Sequence, residues 1–342
     1  MTAEGFQISQ AYGQERPGSS REQTFALVKR RLFNALGWIA IFLAGLELTA
    51  HLQTWLVEAQ HPPAGRFVTV DGVRLHYLSK GAGRPVVFIH GNDGMLQDFT
   101  VCLMDLAAGK YRAIAFDRPG HGYSARPAQR LATVELQAQL IHDAASKLGA
   151  IKPAVVGHSW GGAVALSYAL KYPQDVSALV LLAPVAYETA ETSGHAQDYL
   201  EMVPVLGDLL IASFVVSSRP YVEVNCLEAF YPEKAPRDYA DTYASLVLRS
   251  GQIKAYAEDE ILLGRSLRAM SPHYGEIRVP TVIVTGTADS IVPPGFHAYR
   301  LHQAIPQSVL ATIEGAGHQI ELRRCEKIMH AIAIALGEER AN

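Results

Sequence analysis

The pentapeptide Gly157-His158-Ser159-Trp160-Gly161 constrains this chain more than any other stretch, because of what stands on either side of it. Ala154-Val155-Val156 before it reads as the end of a buried strand. Gly162-Ala163-Val164-Ala165-Leu166 after it reads as the start of a helix. A G-x-S-x-G sequence that joins a strand to a helix makes a sharp, strained turn, and the serine at its apex is pushed out where a small molecule can reach it. The glycines are needed because the helix packs close behind the strand. A buried helix-capping serine is the structural alternative.

A serine hydroxyl is a weak nucleophile and needs a base, which in turn needs a third group to orient it. The order Ser…Asp…His suits a nucleophile on such a turn. The candidate acid is Asp289, in a loop after Thr281-Val282-Ile283-Val284-Thr285-Gly286, an apolar β-branched run read as a strand. A turn-forming Asp is the plainer reading, and Glu188, after the strand 178–183, is the alternative acid. The candidate base is His318 in Gly315-Ala316-Gly317-His318, which follows the strand-like Val309–Ile313. Of the 13 histidines, His158, His121 and His76 are read as parts of turns and a strand. His90-Gly91-Asn92-Asp93-Gly94 follows a short apolar strand, Val86–Ile89. The backbone N–H groups of Asn92 and Trp160 are the candidate donors to an oxyanion there.

Together with Asp117-Arg118-Pro119-Gly120-His121-Gly122-Tyr123-Ser124 and Thr285-Gly286-Thr287-Ala288-Asp289, these segments resemble the α/β-hydrolase superfamily from about Phe67 onward. The resemblance implies a triad of Ser159, Asp289 and His318, oxyanion donors at Asn92 and Trp160, and no cofactor or metal. Asn92 and Trp160 also look like the halide-binding pair of haloalkane dehalogenases. Those enzymes, like epoxide hydrolases, use an aspartate where this chain has Ser159, and a seryl ether cannot be hydrolysed as an aspartyl ester can. Serine implies acyl transfer to water, hence a hydrolase of carboxylic esters of small, largely apolar substrates, carboxylesterase- or lipase-like. A C–C bond hydrolase, an amidase or peptidase and a perhydrolase could use the same triad. A membrane-tethered binding protein without catalysis is the reading from a different class.

Strand and helix patterns alternate. Strands are expected at 85–89, 112–117, 153–157, 178–183, 280–285 and 308–313, after a hairpin turning at Asp71-Gly72. Helices are expected near 96–108, 132–148, 160–172, 294–304 and 323–336. This alternation predicts an α/β fold with a mostly parallel central sheet and helices on both faces. Residues 64–187 and 271–342 are expected to form the core. Residues 188–270, rich in tyrosine and phenylalanine, are expected to form a helical cap with an apolar inner face.

Charged residues make up only 18% of the chain, and the formal net charge of −3 gives no case for nucleic acid binding. The expected partner is a small-molecule ester. The three cysteines, Cys102, Cys226 and Cys325, are scattered and suggest neither a disulfide framework nor a zinc site. Residues 1–28 read as a flexible tail and residues 29–58 as a hydrophobic helix. Lys29-Arg30-Arg31 precedes Leu32–Leu46, which extends past Glu47 to Val57. A bilayer needs about 20 apolar residues. Membrane association through residues 32–57 is therefore expected, as a single-pass anchor with the catalytic part outside the cytoplasm. A cleaved signal peptide and an interfacial helix are the other readings.

Overall fold

The computed structural model describes residues 20–340 apart from 93 and 236–238, and most of the expected flexible tail lies outside the described residues. The chain divides into two units at Leu46–Glu47. The described part of the first belongs to helix α1 (Ser20–Gln60), so the helix begins well before residue 29. It is long and apolar enough to cross a membrane by length and composition. Phe33, Trp38, Ile41 and Phe42 stand exposed along it. Its last turns belong to the second unit, where Glu58 meets Arg249 at 3.2 Å.

The second unit is built on one eight-stranded sheet in the order β1-β2-β4-β3-β5-β6-β7-β8. The strands are β1 (Arg66–Val70), β2 (Val73–Lys80), β3 (Pro85–Ile89), β4 (Arg112–Phe116), β5 (Ala154–His158), β6 (Ala178–Leu182), β7 (Thr281–Gly286) and β8 (Val309–Ile313). Asp71 and Gly72 close the β1–β2 hairpin with φ of 48° and 75°. A two-residue turn with positive φ at both positions matches the twist of the strands it joins. β2 pairs antiparallel with β4, and from β4 to β8 every pairing is parallel.

Side chains alternate across a strand, and a sheet covered on both faces must bury both sets. Val87, Ile89, Ile114, Phe116, Val155, Leu179, Leu181 and Ile283 belong to one core cluster, with residues of α3 (Val134–Lys147) and α4 (Trp160–Lys171). Val86, Phe88, Ala113, Ala115, Val156, Val180, Val282 and Val284 belong to the other, with α2 (Leu103–Ala108) and α12 (Cys325–Ala335). Between β6 and β7 the chain leaves the sheet for five helices: α5 (Ala196–Glu201), α6 (Leu206–Ser217), α7 (Arg219–Glu228), α8 (Tyr239–Val247) and α9 (Ser250–Met270). Two short helices, α10 (Ala298–Ala304) and α11 (Ile320–Arg323), complete the set.

The cysteine expectation is corrected here. Cys102 and Cys325 form a disulfide across 223 residues, with Cα atoms 6.2 Å apart, and Cys226 is buried outside that bridge. Cys102 precedes α2 and Cys325 opens α12, two helices that pack together under the same face of the sheet. Spacing along the chain could not reveal a pair made by that packing.

Candidate active site

Parallel strands of such a sheet deliver their following loops to one edge. Asn92 follows β3, Ser159 follows β5, Asp289 follows β7 and His318 follows β8. Ser159 holds φ at 52°, a left-handed backbone that L side chains rarely adopt. Its backbone is pinned on both sides: its N–H donates to the Leu182 carbonyl at 2.9 Å, and its carbonyl accepts from Val185 at 3.0 Å. The glycines beside it are required by close approach. A Cβ on Gly157 would lie 2.8 Å from the Ala165 Cβ, and one on Gly161 2.8 Å from the Ile89 carbonyl carbon.

The structure brings the three candidates into one hydrogen-bonded line. His318 Nε2 lies 3.0 Å from Ser159 Oγ, and His318 Nδ1 lies 2.8 Å from Asp289 Oδ2. The second oxygen of Asp289 accepts from the backbone N–H groups of Ile291 at 3.0 Å and Val292 at 2.8 Å, which fixes the carboxylate plane. All three residues are buried. Glu188, the alternative acid, turns away to Arg268 at 2.6 Å.

The His90–Gly94 loop lies against the serine, since a Cβ on Gly91 would stand 3.2 Å from the Ser159 Cβ. Trp160 is the first residue of α4, where backbone N–H groups have no intrahelical acceptor and the helix dipole is positive. Asn92 and Trp160 line one cavity with Ser159 and His318, of about 1150 Å³. The Asn92 amide donates to Glu260 of α9.

Residues not singled out from the sequence support this loop. Arg118 is fully buried behind it. Its guanidinium donates to the carbonyls of Gly91 at 3.0 Å and His90 at 3.2 Å, and stands 4.1 Å over the Trp160 ring. Asp259 of α9, 141 residues along the chain, neutralises it and also accepts from His121 at 2.9 Å and Arg126 at 2.7 Å. Burial alone would raise the Asp259 carboxyl, but Arg126 and Arg118 outweigh it and hold the group far below the ordinary carboxylate range. His121, read as a turn residue, is therefore also a rivet to α9, and burial and then Arg118 lower it to about 4.

His158 likewise does more than shape the turn. Its Nε2–H donates to the His318 carbonyl at 3.2 Å, and the two rings sit 4.9 Å apart. Burial and then His318 keep it neutral. Glu321 Oε2 lies 3.1 Å from the same nitrogen, and among the described residues neither carboxyl oxygen of Glu321 has a hydrogen-bond partner. Burial, then Asp98, raise Glu321 well above the usual carboxylate range. The inner wall of the helical insertion is less apolar than expected: Phe214, Val222, Ile253 and Leu263 share it with Asp198, Glu201, Glu228 and Glu260.

Residues 84–321, more than half of the chain, match the alpha/beta hydrolase fold family. The chain belongs to that family. This alpha/beta hydrolase is 26% identical over 252 residues to Lipase 1 of Psychrobacter immobilis, covering 72% of this chain and 76% of the lipase. It is 25% identical over 267 residues to 2-hydroxy-6-oxo-2,4-heptadienoate hydrolase of Pseudomonas putida, covering 76% and 91%. Among solved structures, a thermophilic esterase from Thermogutta terrifontis superposes with a TM-score of 0.65 at 21% identity, covering 80% of this chain and 99% of that one, and shows the fold.

Proposed function

We propose that this alpha/beta hydrolase cleaves carboxylic esters of small, largely apolar substrates through an acyl-enzyme on Ser159. The observation that carries the reading is the unbroken line Ser159–His318–Asp289, with both links at or under 3.0 Å. His318 Nε2 takes the hydroxyl proton as Ser159 Oγ attacks the ester carbonyl. Asp289 holds Nδ1–H and stabilises the imidazolium. The N–H groups of Asn92 and Trp160 receive the oxyanion, each donor contributing about 10²–10³ in rate. His318 then protonates the departing alcohol. Water, deprotonated by the same nitrogen, attacks the acyl-enzyme and releases the acid. Similarity to a lipase supports ester chemistry. Similarity to a hydrolase whose name specifies a dienoate keeps C–C cleavage as the second reading.

A fluorophosphonate probe is expected to label Ser159, and a series of p-nitrophenyl esters of graded acyl length to be turned over. Ser159→Ala should cost at least about 10⁴-fold in kcat. Full turnover by that variant would refute the assignment.

The same reading includes residues 32–57 as a single-pass anchor with the catalytic unit outside the cytoplasm. Two observations support it. Lys29-Arg30-Arg31 precedes the apolar run, and such clusters stay on the cytoplasmic side. The Cys102–Cys325 disulfide belongs to the kind that persists in oxidising compartments.

A further inference from the structure

We propose that His158 is a positioning residue of the hydrolysis, holding the general base His318 in place through one hydrogen bond to the His318 carbonyl. The proposal rests on the ester-hydrolase reading and deepens it, adding a residue on which the triad's geometry depends. The base reaches the serine from the edge of the sheet. Ser159 follows β5, whereas His318 follows the edge strand β8, with β6 and β7 between them. Neighbouring strands lie about 4.8 Å apart, so the His318 loop leans back across roughly 14 Å. That loop is poor at fixing its own end. Gly315 holds φ at 68°, and a side chain on Gly317 would run into the Tyr231 carbonyl. Glycine loses more conformational freedom on folding than any other residue, so a loop that needs it twice gains from a tie to something rigid.

Asp289 ties the His318 ring, and His158 ties the backbone that carries the ring. The His158 Nε2–H donates to the His318 carbonyl at 3.2 Å, beside the Ile320 N–H at 2.9 Å. His158 ends β5, in register with Leu182 of β6, so it stands on the inner part of the sheet. Burial and then His318 keep its ring neutral, which leaves one protonated nitrogen to donate and no charge to solvate. The same ring packs on the oxyanion loop, since a Cβ on Gly91 would stand 3.1 Å from His158 Nδ1. One imidazole therefore meets the loop of the oxyanion donors and the loop of the base while rooted beside the nucleophile. A reacting group about 1 Å out of place costs about 10²-fold in rate. His318 Nε2 stands 3.0 Å from Ser159 Oγ, and a backbone shift of that size would break the proton path. Acylation and deacylation use the same nitrogen, so the loss falls on kcat and leaves KM nearly unchanged.

The test measures p-nitrophenyl ester hydrolysis by the full-length protein in detergent. His158→Leu removes the donor. His158→Gln sets an amide N–H near the place of Nε2, and His158→Asn carries the same amide too short to reach the carbonyl. His158→Leu and His158→Asn should lower kcat by about 10–10²-fold with KM within about twofold, and His158→Gln should recover to within about fivefold of the unmodified protein. Glu321 Oε2 lies 3.1 Å from the same His158 nitrogen. Because the tie runs to the carbonyl, Glu321→Gln should hold kcat within about threefold. Four results overturn the proposal: kcat unchanged by His158→Leu, His158→Gln no faster than His158→Asn, a loss carried by KM alone, or a Glu321→Gln loss as large as that of His158→Leu. If His158→Leu does not fold, the Gln and Asn variants, alike in polarity and different in reach, decide the matter. Turnover by the unmodified protein that disappears in Ser159→Ala keeps the ester reading standing in each of those events. No turnover by the unmodified protein overturns that reading and this proposal with it.

Discussion

Ser159 illustrates what one residue can carry: a φ of 52°, backbone hydrogen bonds to Leu182 at the end of β6 and to Val185 beyond it, and a hydroxyl 3.0 Å from an imidazole. Asp289 is its indirect partner. Asp289→Asn keeps the shape but permits the wrong His318 tautomer, so kcat should fall about 10³–10⁴-fold with little change in KM, read from steady-state kinetics. Glu321 is the converse case, a buried carboxyl beside His158 with no hydrogen-bond partner for either oxygen among the described residues. Its folded pKa is raised, so its contribution to stability is full below the unfolded value near 4.5 and is lost as pH rises through the folded value. Glu321→Gln should therefore raise the thermal midpoint more at alkaline than at acid pH, and an equal or opposite change would contradict a neutral Glu321.

At the scale of elements, two long-range ties hold the loops that carry the site. The first joins the Asp117–Ser124 loop to α9 through Arg118, His121 and Asp259. His90, His121 and His158 all have lowered folded pKa values, each chiefly through burial. An unfolded histidine titrates near ~6.5. As pH falls from there toward about 4, where His121 titrates in the fold, the unfolded chain takes up protons that the folded one does not. Asp259, also lowered, loses its contribution below the unfolded carboxylate range. The histidines act across that window, Asp259 adds the same sign only below it, and the raised Glu321 opposes them in part, so stability to urea should drop by on the order of a few kcal/mol between pH 7 and pH 5. His121→Gln should flatten that slope. The second tie is the disulfide, which closes a loop of 223 residues. The chain-entropy account sets ~5 kcal/mol as its ceiling for so long a loop. Cys102→Ser should lower the thermal midpoint, and thiol titration of the unreduced, denatured protein should find one reactive cysteine, Cys226.

For the whole molecule, the described apolar helix and the paired cysteines concern one question, the compartment in which the site works. If residues 32–57 anchor the chain, the full-length protein should stay with membranes through alkaline carbonate washing. Ile41→Asp together with Phe42→Asp should release it, because charged groups at the centre of a span cost about 2.5–3.5 kcal/mol each. A membrane-impermeant thiol reagent should label an exposed cysteine introduced at Ile151 in intact cells from outside; labelling only after lysis would place the site in the cytoplasm.

Much of this was legible in one dimension. Strands buried on both faces announce themselves as continuous apolar runs, the sharp turn at Ser159 needs its glycines at fixed spacing, and loops after parallel strands reach one edge of the sheet. Local backbone geometry sets each of these, so the meeting of Ser159, His318 and Asp289, and the place of Asn92 and Trp160 in the same cavity, could be expected before any contact was seen. The disulfide, the Arg118–Asp259 pair, the burial of Glu321 beside His158 and the carboxylates in the wall above the serine were decided by the tertiary structure alone. Each joins groups far apart along the chain or depends on which way an inserted helix turns its side chains. Packing settles such matters, because many faces of a short amphipathic helix are compatible with one sequence and only one of them fits the cavity below.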